Sequence, residues 1–390
     1  MLRCHKARHR AAIDMMLKIL TIIARIVLGA TFVFSGFVKA IDPLGTVYKF
    51  QDYLTAMGLG MELPQWMLVI AAVTLSTAEL VLGVMLLLVI ARRLTAKIAL
   101  AFMTVMTLLT VWIYIADPVE DCGCFGEALI LTNGQTLLKN IVLLACAALL
   151  VWKPMLTNRF LNRGNQLLVF QCSLIASVVL SMWCLYDLPL IDFRPYHIGA
   201  NIREGMLIPD DAEQPVFETT FIMQKDGVTK EFSVDNYPDS TWTFVDSKSK
   251  VIKEGYVPPI HDFSIITADG DDITDDVISH KGLTFLLIAP FLNHADDSNF
   301  GDIDALYEYA QENNIPFYCL TSSSDDDINR WKDITGAEYP FCQTDGTTLK
   351  TIIRSNPGLV LLRDGIIIGK WSHNSLPAPE KIKTFTTSNS

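Results

Sequence analysis

The sequence predicts a multi-domain membrane protein, with an all-α transmembrane bundle of five helices, a small β-rich connector and an α/β domain. Three observations lead to this fold class. First, 51% of the 390 residues are hydrophobic and the mean hydropathy is positive, which is too apolar for a soluble protein of this length. Second, residues 1–186 carry 15 Lys and Arg against 9 Asp and Glu, whereas residues 187–390 carry 16 against 33. Third, strand-like and helix-like segments alternate beyond residue 256, which is typical of an α/β domain.

Five segments are apolar and long enough to cross a bilayer, which takes about 20 residues. They are approximately residues 18–38, 66–90, 96–116, 135–152 and 167–186. The lipid bilayer is therefore a predicted partner. A cleaved signal peptide is the alternative for the first segment, but its length and the Arg25 within it favour a span. The predicted domains are a cytoplasmic basic N-terminus (1–17), a membrane domain (18–186), a β-rich connector (187–255) and an α/β domain (256–390).

Loop charges predict the orientation of these spans. The connection 91–97 contains three basic residues and 153–163 is also basic, whereas the loop 117–134 contains no Lys or Arg. Basic connections stay in the cytoplasm, so the N-terminus is predicted to be cytoplasmic and the loop 117–134 extracytoplasmic. We expect a bacterial inner-membrane protein with a periplasmic C-terminal domain. Its acidic second half would repel phosphate, which excludes a nucleic-acid-binding function.

Charged residues within or beside the spans are candidate functional residues, because an ionisable group in a bilayer needs a partner or a cavity. Counted from the cytoplasmic ends, Arg25 and Glu79 differ by about 8 Å in depth, at about 1.5 Å per residue. This favours an Arg25–Glu79 ion pair, and a role in quinone, proton or thiol chemistry is the alternative. Lys39 ends the first span, where its ammonium is expected to reach the interface. All three residues are candidates for cofactor binding.

The loop between the third and fourth spans contains the closely spaced pair Cys122 and Cys124, the candidate catalytic residues. A disulfide between residues i and i+2 closes a small, strained ring, so it should be easily reduced. Gly123 provides the backbone freedom for such a turn. The nearby Asp121 and Glu127 are expected to raise a thiol pKa, which disfavours a strongly activated nucleophile.

A fixed disulfide is the alternative role for this pair. Cys184, near the outer end of the fifth span, is the expected partner, and it could also serve as a resolving thiol. A metal role is the third alternative, but the pair has no second Cys pair or His at zinc-ligand spacing, so no metal site is predicted.

Three segments resemble the DoxX/MauE superfamily of small membrane proteins. They are RIVLGATFVFSGFVKAIDP, STAELVLGVMLLL and DCGCFG, and the CGCFG loop places the resemblance closest to MauE. The resemblance covers residues 18–152. It implies a membrane partner in extracytoplasmic disulfide formation or redox-enzyme maturation, beside a thioredoxin-like protein. DoxX relatives are linked to quinone-coupled oxidation, so a quinone is a candidate electron acceptor. The motif match carries over Cys122 and Cys124 as site residues, with Glu79 and Lys39 as weaker candidates.

The order of segments in 256–375 is similar to the thioredoxin fold of TlpA-like and peroxiredoxin-like proteins. Pro357, in SNPGLVLL, is the candidate cis-proline. Where a CxxC motif should follow the buried strand 284–289, the chain has PFLNHADD, so the domain is a degenerate one that lacks CxxC. Within that stretch His294 is expected to be a surface residue. Cys319 and Cys342 are expected to be buried thiols on neighbouring strands.

These features predict a membrane component of extracytoplasmic thiol–disulfide redox chemistry or redox-protein maturation. The soluble domain would dock a client or a thioredoxin-like partner. The sequence leaves open whether the chain is itself a thiol–disulfide oxidoreductase. A non-catalytic membrane scaffold is the alternative function, with a structural disulfide in the loop that contains Cys122 and Cys124, which we name the Cys loop.

Overall fold

The computed structural model describes residues 2–58, 63–119, 122–153, 160–209, 211–213, 216–225, 228–233, 243–253 and 255–387. Six helices form its first half: α1 (Leu2–Ile41), α2 (Pro43–Ala56), α3 (Gln65–Leu87), α4 (Arg92–Ala116), α5 (Asn133–Trp152) and α6 (Arg163–Tyr186). All except α2 are long and apolar enough to cross a membrane, with Ala12–Ile41 as the spanning part of α1. The chain is thus a multi-pass membrane protein, and the five predicted spans are confirmed.

Helices α1 and α3 are held together by glycines that remove side-chain bulk from their interface. A Cβ at Gly36 would lie 2.4 Å from the backbone nitrogen of Leu80. One at Gly83 would lie 2.8 Å from the carbonyl oxygen of Gly29. Close approach through small residues is the usual basis of helix packing in membranes, where lipid is as apolar as leucine. The close contacts at Gly36 and at Gly83 therefore fix the register of α1 against α3 at two points along the helices.

The bundle core and its outer surface are both apolar, as a membrane environment requires. The buried core includes Leu28, Phe32, Leu82, Ala99, Met103 and Leu143. The outward faces carry exposed apolar side chains, including Ile23, Ile70, Leu108, Ile141 and Val179. In water such a surface would be an exposed hydrophobic patch far larger than monomers tolerate, so these faces are the lipid-contacting ones.

Three strands follow the bundle: β1 (Val216–Lys225), β2 (Val228–Ser233) and β3 (Thr243–Lys253). They form an antiparallel sheet in the order β2-β1-β3, preceded by the short helix α7 (Ile202–Met206). The connector is β-rich, as expected. The Asp-Ser-Lys stretch at 246–248 has a composition that favours a turn, but it lies within β3 and pairs with residues 220–222 of β1. Cross-strand pairing overrides the local turn preference of this polar stretch.

The last region is a six-stranded mixed sheet with helices. Its strands are β4 (Ile266–Thr267), β5 (Leu283–Ile288), β6 (Phe317–Thr321), β7 (Phe341–Gln343), β8 (Gly358–Arg363) and β9 (Ile366–Ser372). Its helices are α8 (Thr274–Ser279), α9 (Phe300–Glu312), α10 (Asp325–Thr335), α11 (Gly346–Ile352) and α12 (Pro379–Thr387). The strand order is β4-β7-β6-β5-β8-β9, with β5, β6 and β7 parallel and β8 antiparallel to β5. This is the predicted thioredoxin-like α/β fold.

Two local predictions for this domain are confirmed. The Asn356–Pro357 peptide bond is cis. Cys319 and Cys342 lie on the adjacent strands β6 and β7, and both are free and buried. They belong to core clusters on opposite faces of the sheet, because Cys319 is one position out of register with Cys342. No bond can join two such side chains.

The segment after α6 joins the bundle to the α/β domain. Tyr196 and Ile202 are buried in the same core cluster as Phe263 and Ile265. At the end of α6, the Asn374 side chain donates a hydrogen bond to the carbonyl oxygen of Tyr186, at 2.7 Å. This contact places the α/β domain directly over the end of the bundle that carries the Cys loop.

Candidate functional site

The Cys loop is a tight turn between α4 and α5. Gly123 and Gly126 both have positive φ, +62° and +51°, and the Gly126 amide donates to the carbonyl oxygen of Gly123 at 3.1 Å. Only glycine adopts these angles without strain. The turn brings the sulfur atoms of Cys122 and Cys124 to 2.8 Å from each other, both as free thiols. As whole residues, Cys122 is buried and Cys124 is half-buried.

A buried polar network beneath the loop holds the backbone of Cys124. The Lys39 ammonium donates to the Glu79 carboxylate at 2.8 Å, to the Ser35 hydroxyl at 2.7 Å and to the carbonyl oxygen of Cys124 at 2.9 Å. These three acceptors match the three N–H donors of a lysine. The Ser35 oxygen lies within 2.8 Å of both Glu79 and the Cys124 carbonyl, and its single hydrogen can serve one of them. Because every ammonium donor is used and a carboxylate neutralises the charge, the network is stable although buried.

The predicted Arg25–Glu79 pair is wrong. Glu79 pairs with Lys39, and Arg25 instead donates from Nη1 to the carbonyl oxygen of Leu87, at 3.1 Å. Leu87 is eight residues beyond Glu79 on α3, which separates the two levels by about 12 Å. The depth count failed because it used span ends estimated from the sequence rather than the glycine-fixed register of α1 and α3. Lys39 is buried rather than reaching the interface.

The two thiols have opposite pKa shifts. The hydrogen bond from the Cys122 thiol, followed by the positive charges of Lys139 and Lys39, lowers the pKa of Cys124 to about 6, against the opposing effect of burial. The same hydrogen bond, together with burial, raises the pKa of Cys122. The net pKa shift of Cys124 is downward rather than the expected upward one, although the Glu79 carboxylate does act in the upward direction. Glu127 is exposed, and Asp121 lies outside the described residues. A low-pKa thiolate beside a protonated thiol is an arrangement suited to disulfide exchange.

Lys139 was not recognised from the sequence. Its ammonium lies 4.1 Å from the centre of the Phe125 ring, next to Cys124. The ring of Phe125 packs in turn on Phe34 of α1, with centroids 5.3 Å apart. A lysine two turns into an apolar helix, beside a cysteine loop, is a signal that could have identified it.

Cys184 occupies a different place. It is free and buried near the end of α6. Among the residues that the structure describes, no contact joins its sulfur to Cys122 or Cys124, and it does not line the cavity above them. Its roles as a bridging partner or resolving thiol stay predictions.

A cavity of about 300 Å³ lies between the bundle and the α/β domain. Cys122, Gly123 and Cys124 form part of its floor, and α2 forms a wall. Residues of α11 and the segment after it form the roof, including Thr347, Lys350, Thr351 and Arg354. The thiol pair is thus recessed under the α/β domain rather than exposed on a surface.

An ion pair fastens the roof to the bundle. Arg354 donates from Nε and Nη2 to the two carboxylate oxygens of Asp42, at 2.9 Å each for the closest contacts. Burial alone would raise the pKa of Asp42, but the Arg354 guanidinium outweighs it and holds the pKa below its ordinary value. Asp42 also caps α2 by accepting from the amide of Gly45, at 2.9 Å. A bidentate pair of this kind fixes geometry as well as adding energy. We name this pair, Asp42–Arg354, the latch.

Beside the latch, Lys350 lies between two aromatic rings from the two halves. Its ammonium is 5.0 Å from the ring centre of Tyr48 in α2 and 4.9 Å from that of Phe291. Phe291 stands in the stretch where a CxxC motif was expected, and it accepts a hydrogen bond at its carbonyl oxygen from Asn356, beside the cis-proline. The face of the α/β domain that lacks the dithiol is therefore the face that contacts α2. His294, also in this stretch, is exposed as expected.

Comparisons with known proteins agree with the first half of the chain. Residues 17–153 match the family model described as methylamine utilisation protein MauE, which confirms the MauE resemblance. Residues 217–254 match a domain of unknown function, DUF8463. No curated protein matches the chain. Among solved structures, a putative protein disulfide isomerase from Bacteroides thetaiotaomicron is similar at 17% identity and a TM-score of 0.26, over 33% of this chain and 84% of that chain.

Proposed function

From a membrane segment that matches the MauE family over residues 17–153, we propose that the protein carries out extracytoplasmic thiol–disulfide exchange at Cys122 and Cys124. The observation that carries the proposal is a pair of free thiols whose sulfur atoms lie 2.8 Å apart on the floor of a cavity. The lowered pKa of Cys124 beside the raised pKa of Cys122 supports it. A purely structural pair has no need of a stabilised thiolate. The lysine network below the loop holds the thiolate-bearing residue by its backbone.

The exchange proceeds in two balanced steps. The Cys124 thiolate attacks one sulfur of a substrate disulfide, forms a mixed disulfide and releases the other sulfur as a thiolate that takes up a proton. The Cys122 sulfur, 2.8 Å away, loses its proton and attacks Cys124, which releases the second substrate thiol. The products are two substrate thiols and a Cys122–Cys124 disulfide. The reverse sequence oxidises substrate thiols, and the reduction potential of the partner decides the direction.

The cellular location of the Cys loop and the reaction partners of its thiols are also part of this proposal. Basic connections at 91–97 and 153–163 favour the orientation in which the Cys loop faces a bacterial periplasm, a compartment that permits disulfides. The buried pair Lys39–Glu79 acts by positioning Cys124 rather than by binding a cofactor. A quinone acceptor, a thioredoxin-like partner and a protein client each stay predictions.

A trapping experiment tests the proposal. In cells that express Cys122→Ser, a mixed disulfide should accumulate at Cys124, because serine keeps a hydroxyl donor beside the thiolate but cannot resolve the intermediate. Cys124→Ser should accumulate none. Site-resolved thiol labelling of the unmodified protein should show both cysteines cycling between reduced and oxidised forms. A permanent bond to Cys184, with serine variants that change only protein abundance, would support the scaffold function instead.

A further inference from the structure

The cavity above the thiol pair restricts what can reach Cys124. Its volume, about 300 Å³, corresponds to roughly ten water molecules at about 30 Å³ each and lies at the small end of ligand pockets. The roof is fastened by the latch and by the Tyr48–Lys350 contact. A folded protein cannot bring a disulfide to a sulfur recessed in this way while the roof is in place. The space fits a small molecule.

Among the described cations that line this cavity, Arg354, Arg194 and Lys39 each pair with a carboxylate, whereas Lys350 does not. Arg354 is paired with Asp42, and Arg194 with Asp192 at 2.7 Å. Lys39 is paired with Glu79. The Lys350 ammonium, in contrast, contacts only the two aromatic rings, and no carboxylate of the described residues lies within 4 Å of it. It is half-buried, and burial lowers its pKa against the more distant attraction of the Asp52 and Asp345 carboxylates. An ammonium held in a cavity without a hydrogen-bonding anion is a ready site for one.

Resting on the thiol–disulfide exchange proposed above, we propose that the substrate is a low-molecular-weight disulfide or thiol that carries a carboxylate, which Lys350 binds while Cys124 exchanges with its sulfur. For a disulfide RSSR, the Cys124 thiolate forms a mixed disulfide with one RS group, and the other leaves as RSH after protonation. Attack by Cys122 then releases the second RSH. One substrate disulfide is reduced to two thiols, the enzyme dithiol is oxidised to one disulfide, and no other reactant is needed.

The test uses the reduced full-length protein in lipid nanodiscs with three small disulfides. They are 3,3′-dithiodipropionate with two carboxylates, 2-hydroxyethyl disulfide with none, and cystamine with two ammonium groups. Formation of the Cys122–Cys124 bond is followed by site-resolved mass spectrometry. Each rate is divided by the rate of the same disulfide with free dithiothreitol, which removes differences in intrinsic reactivity. The dicarboxylate should exceed the neutral disulfide by about tenfold, equivalent to ~1.4 kcal/mol, and cystamine should be slowest.

Variants decide whether Lys350 is responsible. Lys350→Gln should bring the ratio of dicarboxylate to neutral rate close to one, and Lys350→Arg should restore the preference. Lys281→Gln removes an exposed lysine remote from this cavity and should leave the ratio unchanged. Equal normalised rates for all three disulfides, or faster reaction with a disulfide-bonded protein, would overturn the substrate class. A preference that survives Lys350→Gln would overturn the assignment of carboxylate binding to Lys350. If none of the disulfides oxidises the pair, the exchange function itself fails.

Discussion

The lowered pKa of Cys124 can be measured through its alkylation rate. With a pKa of about 6, about nine-tenths of Cys124 is thiolate at pH 7, against about one-hundredth for a thiol at the ordinary value of 9.0. The lowered pKa thus raises the thiolate fraction at pH 7 roughly 90-fold. The intrinsic nucleophilicity of a thiolate falls with its pKa at a Brønsted slope of about 0.4–0.5, so the Cys124 thiolate is roughly twentyfold less reactive than a thiolate of ordinary pKa. The net rate at pH 7 therefore rises only about fourfold, and the pH midpoint is the more informative observable.

The assay is the rate of iodoacetamide alkylation of the reduced protein between pH 5 and 10, resolved for each cysteine by mass spectrometry. We expect a midpoint at about pH 6 for Cys124 and no plateau for Cys122 in this range. Cys122→Ala removes the donated hydrogen bond. Hydrogen bonds to charged groups contribute about 1.5–3 kcal/mol, or about 1–2 pKa units at ~1.36 kcal/mol each, so the midpoint should rise to about pH 7–8.

The control for this series is Cys146→Ala, which removes a thiol of α5 that makes no contact with the loop pair among the described residues. It should leave the Cys124 midpoint unchanged. A Cys124 midpoint near pH 9 in the unmodified protein would refute the thiolate reasoning. So would a midpoint that stays at about 6 in Cys122→Ala, because the hydrogen bond would then not be its main cause.

Two further predictions concern the supports of the loop and the roof. Lys39→Met and Glu79→Gln should each lower the free energy of unfolding in detergent micelles by about 3–5 kcal/mol, because each leaves a buried charge unpaired. The double variant should lower it by less than the sum of the two single variants. Additive costs would contradict the pairing. Arg354→Met should open the latch and raise labelling of Cys124 by a bulky polyethylene-glycol maleimide about tenfold, measured by gel shift. Arg330→Met, which removes an arginine of an exposed surface ion pair, is the matched control. Unchanged labelling in Arg354→Met would mean that the roof does not cover the sulfur of Cys124.

The sequence predicted the elements of this fold well because their signals are local. Apolar length identifies each span, and alternation with continuous apolar runs identifies strands such as β5. The cis-proline and the missing CxxC also follow from short motifs. Pairing across elements was harder. The sequence contains Arg25, Lys39 and Glu79 without the helix register that decides which cation reaches the carboxylate, and that register depends on backbone contact at Gly36.

The site could be predicted only in part for the same reason. Cys122 and Cys124 are adjacent in the chain, so their proximity is a local property. The lowered pKa of Cys124 has its largest cause, the hydrogen bond from Cys122, in the same loop. Its further lowering by Lys139 from α5 and Lys39 from α1 depends on residues that come together only in the folded bundle. The latch joins residues separated by 312 positions, Asp42 and Arg354. No spacing rule connects two such residues, and only the docking of the α/β domain brings them together.

The end of α1 explains how one short stretch can define the whole cavity. Lys39 holds the Cys loop from below through the carbonyl oxygen of Cys124, and three residues later Asp42 holds the roof through Arg354. Between them the helix ends at Ile41, which is fully buried. The floor and the roof of the cavity are thus both held by residues at a single helix end. A buried ion pair adds little net stability but can fix geometry, and fixing the height of the cavity over Cys124 is the role that this geometry gives the latch.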